Sequence, residues 1–296
     1  MQASTQRPSA GDRRGDSVRS QLHGMWAAVA PGWAEHADYA DARGAEIGEA
    51  MLDLVTPEPG ERVLELACGP GGLGLAAAER VGPRGEVVLS DVAVGMTEIA
   101  AERASARGLG NVRTRVLDLE EIDEPAGRYD VVLCREGMMF ATDPDRATSE
   151  IRRVLRPGGR FAVAVWGPRE LNPWLGLVFD AVGAQLGRPV PPPGIPGPFS
   201  LADGDALVAL LERGGLAEVA VRDMLVPLSA ASFDEWWSRT SALAGPLAAI
   251  LATLQPEDRD AITARLREAV DPYRTPDGLA FSGTSIVATG CRPVAG

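Results

Sequence analysis

The chain has 296 residues, 45% apolar and 24% charged, enough for one sizeable α/β domain with an accessory region. Its net charge of −12 excludes a ligand gripped by a phosphate backbone, which needs clustered positive charge, so a small-molecule substrate is expected and nucleic acid is not. All 29 basic residues are arginine, and a chain without lysine forms no Schiff base, has no Walker-type phosphate loop and completes no Tyr-x-x-x-Lys pair.

In chain order, residues 1–20 are rich in Ser, Arg, Gly and Asp with almost nothing to bury, and read as a disordered tail, with order beginning near Leu22. Residues 21–54 have helical spacing, with Trp26, Val29, Trp33, Ile47, Met51 and Leu54 as the buried positions, and Pro31-Gly32 divides them into two short cap helices. Residues 55–168 alternate strand and helix: strand 62–66, helix 72–81, strand 86–90, helix 94–107, strand 112–117, strand 130–134, helix 144–155 and strand 160–166. Such alternation predicts an α/β, doubly wound, Rossmann-like parallel sheet. Asp143-Pro144 opens the helix at 144 and Pro157-Gly158-Gly159 stops it.

Beyond 168 the spacing changes. Residues 169–215 hold an apolar helix after Asn172-Pro-Trp174, a stiff loop at 189–198 with too many prolines to join a sheet, and an amphipathic helix at 203–212 with Gly214 as its C-cap. Residues 216–296 carry the last strands, Ala217–Leu228 and Leu279–Cys291, which bring the count to seven and, in a fold of this type, form an antiparallel edge. Two helices are expected between them, within 232–272, one opened by the capping box Ser232-x-x-Glu235 and one by Pro256.

The densest signal is Val63-Leu-Glu-Leu-Ala-Cys-Gly-Pro-Gly-Gly-Leu-Gly74, an apolar strand that runs into a glycine turn and a helix. Gly69, Gly71 and Gly72 remove Cβ atoms that hold a ligand off the backbone, and the helix's first amides face whatever binds there. Dinucleotide sites share that pattern. Three acids sharpen it: Glu65 inside the strand, Asp91 ending the next one and Asp118 ending the one after. Glu65-x-x-x-Gly69-x-Gly71, Tyr129-Asp-Val-Val-Leu-Cys134 and Arg153-Val-Leu-Arg-Pro-Gly-Gly-Arg160 together resemble the first motif, the fourth strand and the turn before the fifth strand of class I S-adenosylmethionine-dependent methyltransferases. The likeness covers roughly residues 60–168 and is strongest to the branch of quinone-biosynthesis C-methyltransferases and small-molecule enzymes.

The resemblance implies S-adenosylmethionine as cofactor. Asp91 is then the ribose acceptor, Asp118 with Leu119 the partner of the adenine amine, and Val92 with Met96 the adenine sandwich. Glu65 organises the turn formed with Ala67, Gly69 and Gly71, while Cys134 and Arg135 flank the amino-acid end. Each has a plainer reading: a helix cap for Asp91, a solvated loop acid for Asp118, an apolar helix face for Met96. A buried Glu65 needs donors in either case.

Methyl transfer needs alignment and exclusion of water more than a base. Positioning is therefore expected to dominate, with Glu136 and His36 the candidates if a base exists. The Asn/Asp-Pro-Pro-Tyr signature of amino-methyltransferases is missing at Arg135-Glu-Gly-Met-Met-Phe140, which disfavours nucleobase and glutamine substrates. Trp26, Trp33, Trp166, Trp174, Trp236 and Trp237 suggest an apolar lid over the strand ends. The expected function is methyl transfer to a small, partly apolar metabolite, with quinone-ring C-methylation as one alternative and a cofactor-binding protein or non-methylating enzyme on the same fold as another. A nicotinamide oxidoreductase lacks its glycine fingerprint here. With Cys68, Cys134 and Cys291 reading as free thiols, His23 and His36 the only histidines, and no apolar run of about 18 residues, no metal site, disulfide or membrane span is expected and the setting is cytoplasmic.

Overall fold

The computed structural model describes residues 10–294 of the chain. Its centre is one eight-stranded sheet. The strands are β1 (Arg62–Glu65), β2 (Glu86–Asp91), β3 (Val112–Val116), β4 (Tyr129–Arg135), β5 (Leu155–Trp166), β6 (Ala217–Ala230), β7 (Arg274–Thr275) and β8 (Gly278–Cys291). The order is β3-β2-β1-β4-β5-β8-β6, with β7 paired to β8 alone. β1 to β5 run parallel, and β8 is antiparallel to β5 and to β6, as the sequence suggests. The two-residue β7 is the strand the pattern did not announce. Helices α3 (Gly72–Val81), α4 (Val94–Ala106) and α5 (Pro144–Val154) cover the sheet, and apolar runs such as Val63-Leu64, Val87-Val88-Leu89 and Val131-Val132-Leu133 are buried on both faces. Asp143 caps α5 by accepting the Arg146 N–H at 3.0 Å. That helix stops at Val154 because Leu155 already pairs with Tyr129, and a register shift then accommodates Pro157-Gly158-Gly159 before Arg160 meets Val131.

The cap departs from expectation at several points. The first helix, α1 (Ala10–Glu35), neither waits for Leu22 nor breaks at Pro31. The described part of the expected tail is therefore helical, and residues 1–9 lie outside the described residues. An interior proline costs a helix about 3 kcal/mol, and here tertiary packing outweighs it. Val29 and Ala30 bury against Ala93 and Met96, and the Trp33 indole donates to the Leu243 carbonyl at 3.0 Å. A Cβ on Gly32 would stand 2.7 Å from the Ala242 carbonyl oxygen, so this glycine serves close approach rather than a turn. The break comes at His36, ahead of α2 (Ala37–Val55). In α2 the inward face is Ile47, Met51, Leu52 and Val55, whereas Leu54 is exposed.

After β5 come α6 (Pro173–Leu186) and α7 (Gly204–Arg213). Gly214 is the C-cap with ordinary right-handed φ, and the left-handed residue is Gly215 at φ +81°. Three helices rather than two precede β7: α8 (Phe233–Leu243), α9 (Gly245–Ala252) and α10 (Pro256–Ala269). Ser232 accepts the Glu235 N–H at 3.1 Å, while Glu235 reaches back to the Ala231 N–H at 2.8 Å, one residue beyond the usual capping-box partner. No helix among the described residues is long and apolar enough to cross a membrane.

Candidate functional site

The strand order reverses at β1, whose neighbours are β2 and β4, and in open α/β sheets the crevice at such a switch point receives ligands. Register fixes what stands on its rim. Glu65 pairs with Leu89 and with Leu133, so Asp91 lies two residues beyond one neighbour and Glu136 three beyond the other. Across the rim the order is Asp118 after β3, Asp91 ending β2, Ala67 to Gly69 after β1, Glu136 after β4 and Trp166 ending β5, and all of them wall one cavity roofed by α1, α2, α8 and α9. With strands about 4.8 Å apart, Asp118 and Glu136 stand roughly 14 Å from each other.

The glycines do different jobs from those expected. Gly69 (φ +53°) faces the cavity and has only Trp33 near it, at 3.8 Å from a Cβ. Gly71 (φ +87°) is the left-handed N-cap of α3, and a Cβ there would meet Leu89 and Ala100 at 3.0 and 3.1 Å. On Gly72 a Cβ would fall 1.9 Å from Asp41 Oδ1 of α2, and on Gly74 2.1 Å from Leu89 Cδ2. Neither Gly71 nor Gly72 lines the cavity. The Gly74 N–H donates to Glu65 Oε2 at 2.9 Å. The start of α3, the natural place for a phosphate, is thus occupied by two carboxylates of the protein itself.

Glu65 is almost wholly buried. Burial pushes its carboxyl up to about 8 despite the Arg135 guanidinium and the Gly74 N–H, which favour the anion. The native state therefore holds a proton that the unfolded chain releases near the ordinary value of 4.5, and stability falls as pH rises from there through 8. Thermal melts should show Tm of the ligand-free protein declining across that window, and Glu65→Gln should flatten the decline. A decline equally steep in Glu65→Gln would place its origin elsewhere.

Asp91 is buried and accepts the Ala93 N–H on Oδ1 and the Gly69 N–H on Oδ2, each at 3.0 Å. Burial raises its pKa, opposed by those backbone donors. It combines the turn-capping role with the rim position, and each oxygen retains a lone pair. Asp118 behaves oppositely. Burial would raise it, but the His23 ring, the Glu120 N–H and the Arg19 guanidinium together bring it to about 2. His23 Nε2 lies 3.2 Å from Asp118 Oδ2, so α1 is latched to this acid. Asp118 is therefore no free loop acid. Val92, Met96 and Leu119 line the cavity, and Met96 also packs beneath α1. Arg135 donates to the Gly44 carbonyl at 3.1 Å, and Ala67 takes a left-handed φ of +50°. Cys68 and Cys134 are buried, and burial pushes both thiols up, Cys134 to about 12, which removes them as nucleophiles.

Glu136 lines the cavity but His36 does not; His36 is the N-cap of α2 and its side chain accepts no helix N–H. Of the lid tryptophans, Trp26, Trp33, Trp166 and Trp174 are in the cavity wall. Trp236 and Trp237 are not: Trp236 packs on Phe233 and Phe281 at 5.7 and 5.3 Å in the core. The wall also contains groups the sequence did not single out, among them Arg19, Tyr39, Arg43, Phe179 and Arg239. The acceptor end is consequently richer in titratable groups than expected. Arginines on amphipathic helices look like solvated faces until the helices fold over the sheet, and the left-handed Glu136 at φ +57° and Ala67 at φ +50° are the non-glycine residues whose backbone marks this wall.

Residues 63–159 match the model of a methyltransferase domain. The chain is 36% identical over 156 residues to nocamycin O-methyltransferase of Saccharothrix syringae, a match covering 49% of this chain and 56% of that one. It is 37% identical over 130 residues to the ubiquinone/menaquinone biosynthesis C-methyltransferase UbiE of Ectopseudomonas mendocina, covering 44% and 50%. The chain thus spans about half the length of the curated relatives it matches. Among solved structures, a phosphoethanolamine N-methyltransferase of Haemonchus contortus in complex with S-adenosyl-L-methionine shares the fold, with a TM-score of 0.53 and 18% identity over 84% of this chain and 52% of that one.

Proposed function

From the premise that residues 63–159 belong to the methyltransferase domain family, we propose that the chain binds S-adenosylmethionine and transfers its methyl group to a small, partly apolar metabolite. The observation that carries this reading over a dinucleotide is the start of α3, where Glu65 accepts the Gly74 N–H and Asp41 stands against Gly72. A pyrophosphate there would have to displace the Glu65 carboxyl, which already takes the Gly74 N–H, and the Asp41 side chain that fills the space over Gly72, so the helix start is closed to the phosphates a dinucleotide brings.

The residues present fit that cofactor. Asp91 offers two acceptor oxygens to a ribose diol, Asp118 keeps a lone pair on Oδ1 for an adenine amine, and Val92, Met96 and Leu119 supply apolar faces. Gly69 gives bare backbone, with Ala67 beside it, and Glu65 and Arg135 line the cavity at the amino-acid end, whereas Cys134 is buried behind that wall and does not line it. When bound, the cofactor supplies an electrophilic methyl on a sulfonium. Similarity to the nocamycin enzyme favours specialised metabolism, and similarity to UbiE keeps quinone-ring C-methylation as the within-class alternative.

Calorimetry decides the cofactor: S-adenosylhomocysteine should bind and a nicotinamide dinucleotide should not, and the reverse order of affinity overturns the reading. Incubation with methyl-labelled cofactor and a metabolite extract then separates a transferase from a binding protein on the same fold.

We also read α1 and the loop at 189–198 as a lid. Arg19 and His23 reach Asp118, Trp33 reaches Leu243, and Pro198 touches the cavity. On adding S-adenosylhomocysteine, amides in residues 25–40 and 190–200 should exchange more slowly while β4 stays protected throughout. Identical exchange with and without ligand would make the cap static packing.

A further inference from the structure

The Arg43–Glu136 pair is chemically unfinished. Arg43 Nη2 donates to Glu136 Oε2 at 2.6 Å, and the two side chains are only 9% and 10% exposed. Arg43 Nε and Glu136 Oε1 are also cut off from solvent, yet neither has a hydrogen-bond partner among the described residues. Leaving a buried charged group's donor or acceptor unmatched costs at least as much as a hydrogen bond contributes, so a pair retained in this state marks a place that gains a partner when the cavity wall shifts around a bound molecule. Both residues wall the cavity, and the Arg43 guanidinium lies 5.3 Å and 5.9 Å from the ring centroids of Trp166 and Trp174. Glu136 is held by a left-handed φ of +57°, a conformation that non-glycine residues keep where the surroundings impose it.

We propose that Arg43 and Glu136 form the anchor for a neutral hydroxyl on a planar, apolar substrate, a phenol or an enol. The inference rests on the methyltransferase reading and adds to it the acceptor group. Joined through Nη2 and Oε2, the pair has one unmatched donor, one unmatched acceptor and no net charge. A carboxylate is repelled by Glu136 and an ammonium by Arg43, whereas one hydroxyl donates its proton to Oε1 and accepts the Nε–H on its oxygen. If the proton moves, it leaves the hydroxyl for Glu136 Oε1. The carboxylate becomes a neutral acid, and the charge passes to the substrate oxygen, where Arg43 stabilises it. That oxygen then takes the methyl of S-adenosylmethionine as the methyl–sulfur bond breaks onto sulfur, giving a methyl ether and S-adenosylhomocysteine. Glu136 releases its proton to solvent as the products leave, which makes the reaction O-methylation. Trp166 and Trp174, packed edge to face at 5.1 Å, add the apolar aromatic surface against which such a ring can pack.

The test uses the full chain saturated with S-adenosylhomocysteine and three probes of one shape: 2-naphthol, 2-methoxynaphthalene and 2-naphthoate, titrated by calorimetry. 2-Naphthol should bind about tenfold or more tightly than either of the others. Glu136→Gln and Arg43→Lys should each erase most of that preference while 2-methoxynaphthalene and S-adenosylhomocysteine bind as before, a pattern that general loosening of the cavity does not produce. Equal binding of the three probes by the parent protein overturns the proposal, and so does a preference that survives both substitutions. Failure of S-adenosylhomocysteine to bind the parent sinks the methyltransferase reading instead, and the same probe comparison on the ligand-free protein still decides the anchor.

Discussion

Asp91→Ala is expected to lower affinity for S-adenosylhomocysteine by about 30- to 1,000-fold, the equivalent of about 2–4 kcal/mol, and to lower Tm as well. Both effects have one origin. Asp91 ends β2 with its two oxygens pointed at the turn after β1 and at the start of α4, through the Gly69 and Ala93 N–H groups. Removing the carboxylate leaves those two buried donors unmatched, which destabilises the protein without any ligand, and it also removes the acceptors for a ribose diol. The two contributions separate when the analogue lacking the ribose 2′-hydroxyl is titrated alongside. Parent and Asp91→Ala should differ less for that analogue than for S-adenosylhomocysteine. An identical difference for the two ligands would mean that Asp91 only shapes the turn, and unchanged affinity for both would remove it from the site.

Much of the core was legible because its punctuation is local. Asp143-Pro144 opens a helix by capping chemistry that needs no tertiary partner, and the apolar runs at 63–66, 87–89 and 131–134 are too short for buried helices and too continuous for a half-exposed sheet. The cap was not legible for the opposite reason. Pro31-Gly32 is a helix breaker on local grounds, and α1 runs through it only because Val29, Ala30 and Trp33 find partners on α4 and at Leu243. Gly245-Pro246 begins α9, the helix the pattern did not announce, and a proline at the first helical turn costs nothing. At the site, the three acids were readable because Glu65 and Asp91 end strands and Asp118 follows one closely. Arg19, Arg43 and Arg239 were not, because nothing in the helices that bear them distinguishes a cavity-facing arginine from a solvated one. Trp236 and Trp237 depart the other way: aromatics on a helix after the core suggested a lid, but Trp236 packs against Phe233 and Phe281 and Trp237 against Trp236.

Gly74→Ala should destabilise the protein by about 2–4 kcal/mol, although alanine in place of glycine inside a helix ordinarily gains about 1 kcal/mol. The sign is decided by space. Gly74 lies in the first turn of α3, and a Cβ there would stand 2.1 Å from Leu89 Cδ2 and 2.5 Å from Glu65 Oε2. Leu89 is fully buried at the middle of the sheet, so its methyl has nowhere to go, and overpacking of this kind costs about 1–3 kcal/mol. Pushing Glu65 aside also breaks its 2.9 Å bond to the Gly74 N–H, which adds the cost of a buried carboxylate short of one donor. Gly24 in α1 is the control of opposite sign, because a Cβ there meets nothing within 4 Å and Gly24→Ala should stabilise by a few tenths to about 1 kcal/mol. Denaturant unfolding of the two variants measures both. S-adenosylhomocysteine titration of Gly74→Ala measures the rest, since a displaced Glu65 should weaken binding even where the protein remains folded. Parent-like stability in Gly74→Ala would mean that β2 and α3 give way easily. The glycine would then serve the backbone alone, and Glu65 would lose its claim to be held in place for a ligand.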